Sequence, residues 1–481
     1  MTPKATFFFY DLETSGVNSR SARIMQFGGQ RTDMDLNPIG EPINVLIKLT
    51  EDILPEPDAV LVTGITPQKT LAEGVTEAEF GKIFQSEIVR PGTIFVGFNS
   101  IRFDDEFMRF FLFRNFYDAY EWQWKDGCSR WDMLDVSRMA RALRPEGLKW
   151  PFDPSGKPTN RLEFLASINK LAHDNAHDAL SDVNATIALA QKLKQAQPKL
   201  FDYMLSMRDK RKVKALVKSG QPFVYSSGKY PGEFEKTTVA ITLGPHPDKQ
   251  SDLVYDLRHD PKPILKLSAE QLAEKWKYNP NKPDDRLPVK SLQFNRCPAV
   301  APSSVLDVAA TKRLKLDMEV IKKHQDMLKA DPSFISKLHG ALEILNKNRQ
   351  TSLVPSDIDV DASLYNEFMP DSDRQLQKQI HQIEPSKLTS FASKFGDARL
   401  KALLPLYKAR NFPSSLTPAE LESWEDFKER KLQAGGASSQ AARFNKRLSE
   451  LIQQPKLTKQ QKYLLEEINL YAQSVIPGTD A

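Results

Sequence analysis

Phe7-Phe8-Phe9-Tyr10-Asp11-Leu12-Glu13-Thr14 decides how the chain begins. The aromatic, apolar run reads as a buried strand over residues 6–10. Side chains alternate faces along a strand, so Asp11 and Glu13 point to one side at its end. Two carboxylates on one face repel each other unless a cation lies between them. Hard oxygen ligands of this kind suit Mg²⁺ or Mn²⁺. Taken alone, the pair reads as a solvated strand end.

Two more clusters lie further along the chain. Ile94–Phe98 is a second short apolar run, and Asn99-Ser100-Ile101-Arg102-Phe103-Asp104-Asp105 follows it directly. Asp104 thus falls at a strand-to-helix junction, the sheet edge where open α/β folds hold ligands. An acidic first turn complementing the helix dipole is the competing role, which Asp105 and Glu106 fill equally well. His177-Asp178-Ala179-Leu180-Ser181-Asp182 opens a helix that runs to Ala196. His177 and Asp182 are separated by about 140° on an ideal helix. They converge only if His177 sits in the preceding loop and Asp182 in the first turns. Asp174 and Asp178 are neighbours whose charge favours the imidazolium.

Around these clusters the patterning predicts strands at Ile24–Thr32 and Ile43–Leu49. Helices are expected over Ala78–Val89, Arg102–Arg114, Asp132–Leu143, Arg161–Ala172 and Asp178–Ala196. This is an α/β layer fold extending to about Pro198. A helix with a basic end follows over Leu200–Lys218. Short alternating runs come next, at Pro222–Tyr225, Thr237–Leu243, Leu253–Leu257 and Val289–Phe294, the signature of a small β-barrel or sandwich. Ser304–Asn348 has helical periodicity. Leu353–Ala362 is polar and reads as a linker. From Ser363 to about Gln473 the chain reads as amphipathic helix, interrupted at Pro370, Pro385, Pro413 and Gly435-Gly436. The expected domains are 1–199, 200–352 and 353–481.

Composition sets the outer bounds. With 481 residues, 40% apolar and 27% charged, the chain can bury sizeable cores, which excludes a disordered or collagen-like protein. The two cysteines, Cys128 and Cys297, form no CxxC pair, so a disulfide scaffold or structural zinc site is not expected and a reducing cytoplasm fits. No apolar run approaches the ~18 residues of a membrane span. Asp11 cuts the N-terminal apolar run too short for a signal peptide. The net charge of +5 divides into −4 over residues 1–200 and +9 over the rest. An acidic segment that handles a polyanion needs metal ions, whereas a basic remainder attracts phosphates.

Taken together, the clusters form an ordered set: Asp-x-Glu on a first strand, Asp after a middle strand, and His-x4-Asp at a late helix. The set resembles the DEDDh exonuclease superfamily, which has an RNase H-like fold. Within it the chain is similar to the bacterial exodeoxyribonuclease I family. That similarity is carried by Val62-Thr63-Gly64-Ile65-Thr66-Pro67, Arg102–Glu106, Arg114–Asp118, Ser129–Asp132, Ala142–Gly147 and Asn175–Ala179. Leu200–Tyr203, Asn295–Pro298, Leu364–Asn366 and Ala409–Pro413 extend it over nearly the whole chain. It implies an RNase H-like nuclease domain, an SH3-like β domain and a helical C-terminal domain, arranged as a C around a channel. It also implies Asp11, Glu13, Asp104 and Asp182 as ligands of two Mg²⁺ ions (or Mn²⁺), with Glu13 also touching substrate, and His177 as general base. Two metals serve phosphodiester hydrolysis by stabilising the attacking and leaving oxygens, and a near-neutral imidazole can accept a proton from water.

The same resemblance points to Arg109, Tyr120, Trp124, Arg138, Asn160 and Arg161 as contacts to single-stranded DNA. Tyr120-Glu121-Trp122-Gln123-Trp124 is an unusual aromatic cluster; an extended backbone would put all three rings on one side, where bases stack without regard to sequence. A packed hydrophobic cluster is the competing reading. Arg144 and Tyr203 match family positions that receive the acidic C-terminal tail of single-stranded DNA-binding protein, and an arginine with an amphipathic tyrosine suits a carboxylate-ended apolar peptide. Burial of Tyr203 on the β domain is the alternative. Ser155-Gly156-Lys157-Pro158 is no P-loop, because Pro follows the lysine. The expectation is a monomeric, processive 3′→5′ exonuclease of single-stranded DNA that releases 5′-mononucleotides and acts in repair and recombination. A DEDDh exoribonuclease and a non-catalytic strand-binding scaffold are the alternatives.

Overall fold

The structure, a computed structural model, describes residues 4–171, 177–277, 286–350 and 360–476. It contains two compact units. The first comprises 1–129, 173–184 and 356–481, and the second 130–172 and 185–355.

In the first unit β1 (Thr6–Thr14) is the central strand, antiparallel to β2 (Ile24–Thr32). β3 (Ile43–Leu46) pairs with the far side of β2. β1 is also parallel to β4 (Thr93–Gly97). Phe8, Tyr10 and Leu12 alternate onto one face and join Phe27, Phe80, Phe84, Phe95 and Phe111 in the core. β1 runs past the apolar stretch to Thr14, so Asp11 and Glu13 lie within the strand, not at its end. Strand pairing uses backbone groups, and polar side chains do not stop it.

Three short helices, α1 (Pro57–Thr63), α2 (Pro67–Glu73) and α3 (Glu77–Ile83), follow. The helix expected to Val89 ends early, and Phe84–Ile88 forms a single π-turn. α4 (Asp104–Arg114) is buried on nearly every side.

β5 (Ser129–Asp132), α5 (Met133–Leu143) and α6 (Leu162–Asn169) follow. α7 (Ala179–Ala196) starts in the first unit and continues in the second. The expected Leu200–Lys218 helix is two, α8 (Pro198–Ser206) and α9 (Lys210–Val217). Asp209 caps α9 by accepting the Arg211 N–H, which starts a new helix. β6 (Phe223–Ser226), β7 (Thr237–Pro245), β8 (Ser251–Asp256), β9 (Val289–Gln293) and β10 (Ala299–Pro302) make an antiparallel sheet ordered β10-β6-β7-β8-β9. β10 escaped the sequence reading because Pro298 precedes it and Pro302 is its last residue. After α10 (Lys262–Leu265) and α11 (Ala269–Trp276), the stretch 304–348 divides into α12 (Val308–Arg313), α13 (Met318–Ala330) and α14 (Phe334–Gln350). Asp317 caps α13, and Asp331-Pro332 separates α13 from α14.

The C-terminal helices belong to the first unit. They are α15 (Asp371–Ile380), α16 (Leu388–Phe391), α17 (Ala398–Asn411), α18 (Pro418–Gln433), α19 (Gln440–Ile452) and α20 (Lys459–Val475). The expected breaks hold, while Pro405 lies inside α17. Leu400, Leu403, Leu404 and Tyr407 share a core with Phe110, Phe113 and Phe116. Leu448, Leu464 and Ile468 pack with Leu49, Ile53 and Val60. Of the expected linker, residues 353–359 fall outside the described residues, but Asp361 is buried in a short helical turn. Burying it is feasible because Arg23, Arg410 and Lys431 all lie within 2.9 Å. None of the described helices is long and apolar enough to cross a membrane.

Candidate active site

The carboxylates predicted on β1 meet the one predicted on α7. Ligand oxygens of Asp11, Glu13 and Asp182 lie within 4.8 Å of one another. Asp182 is in the first turn of α7, and His177 sits outside the helix in a turn, the arrangement their convergence requires. His177 has a φ of 65° and is exposed. Asp104 opens α4 and is buried. It is not one of the three clustered ligands, yet its charge acts on both Asp11 and Glu13.

This crowding is costly. Burial, followed by repulsion from Asp182, Asp104 and Asp178, pushes the Glu13 carboxyl up to about 9. Burial and repulsion from Asp104, Asp182, Glu13 and Asp178 hold Asp11 well above the usual carboxylate range. Like charges at this spacing cannot all ionise unless a cation balances them. The donor set is all oxygen and converging, which fits a hard divalent ion.

Several residues that sequence reasoning passed over shape the site. Tyr10 donates from its hydroxyl to Asp105 Oδ1 at 2.5 Å, tying the start of α4 to β1. Gln26 stands directly opposite Glu13, and Gly28 opposite Asp11. The Gly28-Gly29 pair inside a strand was the available signal, because strand glycines often mark close backbone approach.

The backbone of the aromatic cluster does not align its three rings on one side. Glu121–Gln123 is a 3₁₀ turn, not an extended segment. Trp122 therefore points into the core, 4.9 Å from the Phe95 ring centroid, while Tyr120 and Trp124 are exposed. Arg109 is buried rather than on the surface. Its guanidinium donates to Glu106 at 2.6 Å and to Gln123 at 2.9 Å, and it lies 5.5 Å from the centre of the Tyr120 ring. A 290 Å³ cavity begins at Tyr120 and is lined by Tyr365, Phe368, Arg374 and Arg399. Tyr365 donates to Glu106 at 2.5 Å, and Phe368 is almost fully exposed.

Four other predicted residues lie in the second unit, together with Arg161. Arg138 pairs with Asp135 at 2.5 Å. Asn160 is buried, and its Oδ1 has no partner among the described residues. Arg161 precedes α6 and is exposed, 3.7 Å from Glu163. Arg144 is half-buried and bonds Val305 O at 3.0 Å and Asp307 at 3.1 Å. Tyr203 packs against the β-sheet core and donates to Val300 O at 3.2 Å.

Comparison with known proteins agrees with this arrangement. Three family models match in chain order: an exonuclease model over 8–190, the exonuclease I SH3-like domain over 208–343 and the exonuclease I C-terminal domain over 358–475. Exodeoxyribonuclease I of Haemophilus influenzae is 37% identical over 98% of this chain and 99% of its own length. A crystal structure of Escherichia coli exonuclease I with a dA16 oligonucleotide has a TM-score of 0.90 and 37% identity, covering 98% of this chain and 100% of that one. A structure described as SSB/exonuclease I in complex with an inhibitor has a TM-score of 0.88 and 36% identity, covering 98% and 100%. With its converging carboxylates on an exonuclease fold, and SH3-like and helical C-terminal domains following, the chain belongs to the exodeoxyribonuclease I family, hydrolases that degrade single-stranded DNA from the 3′ end.

Proposed function

We propose that this chain hydrolyses single-stranded DNA from its 3′ end to 5′-mononucleotides, using two Mg²⁺ ions at Asp11, Glu13, Asp104 and Asp182. The observation that carries this reading is the convergence of Asp11, Glu13 and Asp182 oxygens within 4.8 Å. When bound, the ions supply Lewis acidity and neutralise charge on the attacking and leaving oxygens. The chain's own residues do the rest. His177, in its exposed turn beside α7, takes the proton from the attacking water. Glu13, besides holding metal, contacts the terminal nucleotide in this reading. Tyr120 and Trp124 offer exposed ring faces for base stacking, which tolerates any sequence and so suits continuous degradation. Arg109, 5.5 Å from the centre of the Tyr120 ring, is a further contact to the strand in this reading. Arg138, Asn160 and Arg161 supply donors toward the strand, and Arg161 has the most exposed guanidinium of these.

The proposed partners are single-stranded DNA and the acidic C-terminal tail of a single-stranded DNA-binding protein. The tail would be received near Arg144 and Tyr203. The oligonucleotide and SSB structures of the relatives support both partners. A monomer acting in the cytoplasm in repair is part of the same reading. So are sequence domains of 1–199, 200–352 and 353–481.

The test uses purified protein, Mg²⁺ and a 5′-labelled single-stranded DNA oligomer. An RNA of the same sequence and a 3′-blocked DNA run in parallel. Shortening of the open DNA alone, abolished by EDTA, is the expected result. Faster cleavage of RNA would transfer the enzyme to the exoribonuclease branch, and binding without cleavage would make it a scaffold.

A further inference from the structure

The site brings an acidic helix start against an acidic strand, and ionising these carboxylates for an ion sets like charges against each other. Something else must hold α7 in place. Gln26 is buried on β2, opposite Glu13. Its Nε2 donates to Asp178 Oδ2 at 2.9 Å and to Asn44 Oδ1 at 2.9 Å. Its Oε1 accepts the Ala179 N–H at 3.3 Å. Asp178 in turn caps the helix, its Oδ1 accepting the Ser181 N–H at 3.0 Å. One carboxamide therefore holds both the cap and the first amide of α7.

Gly28 completes the contact. A Cβ at this position would lie 2.5 Å from the Ala179 carbonyl carbon and 2.6 Å from the Leu180 nitrogen. Those are backbone atoms that cannot swing aside, so only glycine lets α7 come this close. Asp182 is one helical turn beyond the contact, its N–H donating to Asp178 O at 3.0 Å. A single hydrogen-bonded turn is stiff, so fixing residues 178–180 fixes Asp182. His177 is the residue just before the anchored cap.

We infer that Gln26, Gly28 and Asp178 form a latch that sets Asp182 and His177 against the strand carboxylates, with Gln26 a positioning residue for hydrolysis. The inference rests on the metal-site reading proposed above. Partners one shell out from a metal site typically change metal affinity by about 10–100-fold when removed. The latch explains how the acidic cluster is assembled before any ion arrives.

The test compares the full chain with Gln26→Met, Gln26→Glu, Gly28→Ala and the double variant Gln26→Glu/Asp178→Asn. Each is measured for Mn²⁺ affinity by titration, for kcat and KM on a single-stranded DNA oligomer, and for Tm in EDTA. Gln26→Glu keeps the volume and the acceptor for Ala179 but turns a donor toward Asp178 into a second carboxylate. It should weaken Mn²⁺ binding by about tenfold or more and lower kcat in proportion, with KM little changed. The double variant restores the donor–acceptor pair in the opposite sense and should regain Mn²⁺ affinity to within about threefold of the wild type. Recovery of this kind cannot come from core packing. Wild-type Mn²⁺ affinity and kcat in Gln26→Glu and Gln26→Met would overturn the latch, as would a lower Tm with metal affinity intact. If the wild-type chain itself neither binds Mn²⁺ nor cleaves DNA, the metal-site reading fails and takes the latch with it.

Discussion

Arg23 and Asp361 form an ion pair at 2.7 Å across 338 positions of sequence, both side chains almost wholly buried. Asp361 also receives Arg410 at 2.8 Å and Lys431 at 2.9 Å. Those two cations reach Asp52 at 2.7 and 2.6 Å. This charge cluster joins the end of the first β-hairpin to α17 and α18. Arg23 also donates its backbone N–H to Ser15 Oγ at 2.9 Å, two residues beyond Glu13. The seating of the C-terminal helices is therefore bonded, through one residue, to the strand that carries the acidic site.

Removing one anion from such a cluster leaves buried cations unbalanced. Asp361→Ala should cost about 3–5 kcal/mol of stability, the range for breaking a buried pair. The check is chemical denaturation of the full chain. An exposed linker aspartate would give a change under ~0.5 kcal/mol, and that outcome would remove the cluster's structural role. Burial alone would raise Asp361, but Arg410, Lys431 and Arg23 outweigh it and hold the carboxyl well below its usual value. A depressed carboxylate contributes stability above its unfolded pKa of about 3.9 and loses it as pH falls through the folded value. The cluster should accordingly survive mild acid and open only in strong acid.

Metal binding should release protons. Glu13 keeps its proton up to about 9 in the metal-free protein, and only the ionised carboxylate is a ligand. Affinity for Mg²⁺ or Mn²⁺ should rise with pH through the neutral range and level off near that value. Calorimetric titration at pH 7 in buffers of different ionisation enthalpy reads the proton count directly. No release would show that Glu13 is already ionised and the repulsion argument wrong.

Asp182→Ala should reduce cleavage to the level seen with EDTA while single-stranded DNA binding persists. Because it also removes a like charge from the cluster, its Tm without metal should equal or exceed that of the wild type. A marked loss of Tm would mean that Asp182 holds the fold and not an ion. His177→Ala should lower kcat and recover as pH rises, with hydroxide standing in for the missing base. An unchanged rate with no alkaline rescue would remove His177 from that role.

The aromatic cluster separates binding from folding. Trp124→Ala should weaken single-strand binding by about 1–3 kcal/mol whatever the base sequence, and leave Tm alone. Trp122→Ala should do the reverse, costing about 3–5 kcal/mol of stability. Fluorescence anisotropy and thermal melts on both variants would decide. Equal effects on binding would mean that the rings act as one surface.

Much of this molecule was legible in the amino-acid order. Strand β2 was bounded correctly from Ile24 to Thr32, where the polar Asp33 follows. Asp11, Glu13 and Asp182, which the structure brings together, were singled out by residue type, alternation along a strand and position at a helix start, read jointly along the chain. Helix breaks at Pro370, Pro385 and Pro413 follow from a ring that cannot continue the backbone ladder. What the order of residues could not say is which distant groups meet. Trp122 and Trp124 differ only in the backbone turn between them, yet one is core and the other surface. Asp361 looked like linker until three cations from remote segments enclosed it. Gln26 and Gly28 carry no motif, and their importance exists only where α7 comes to rest on β2. Local pattern determined the elements and the chemistry they carry. Tertiary packing alone decided their contacts, because burial and close approach depend on what the rest of the chain brings alongside.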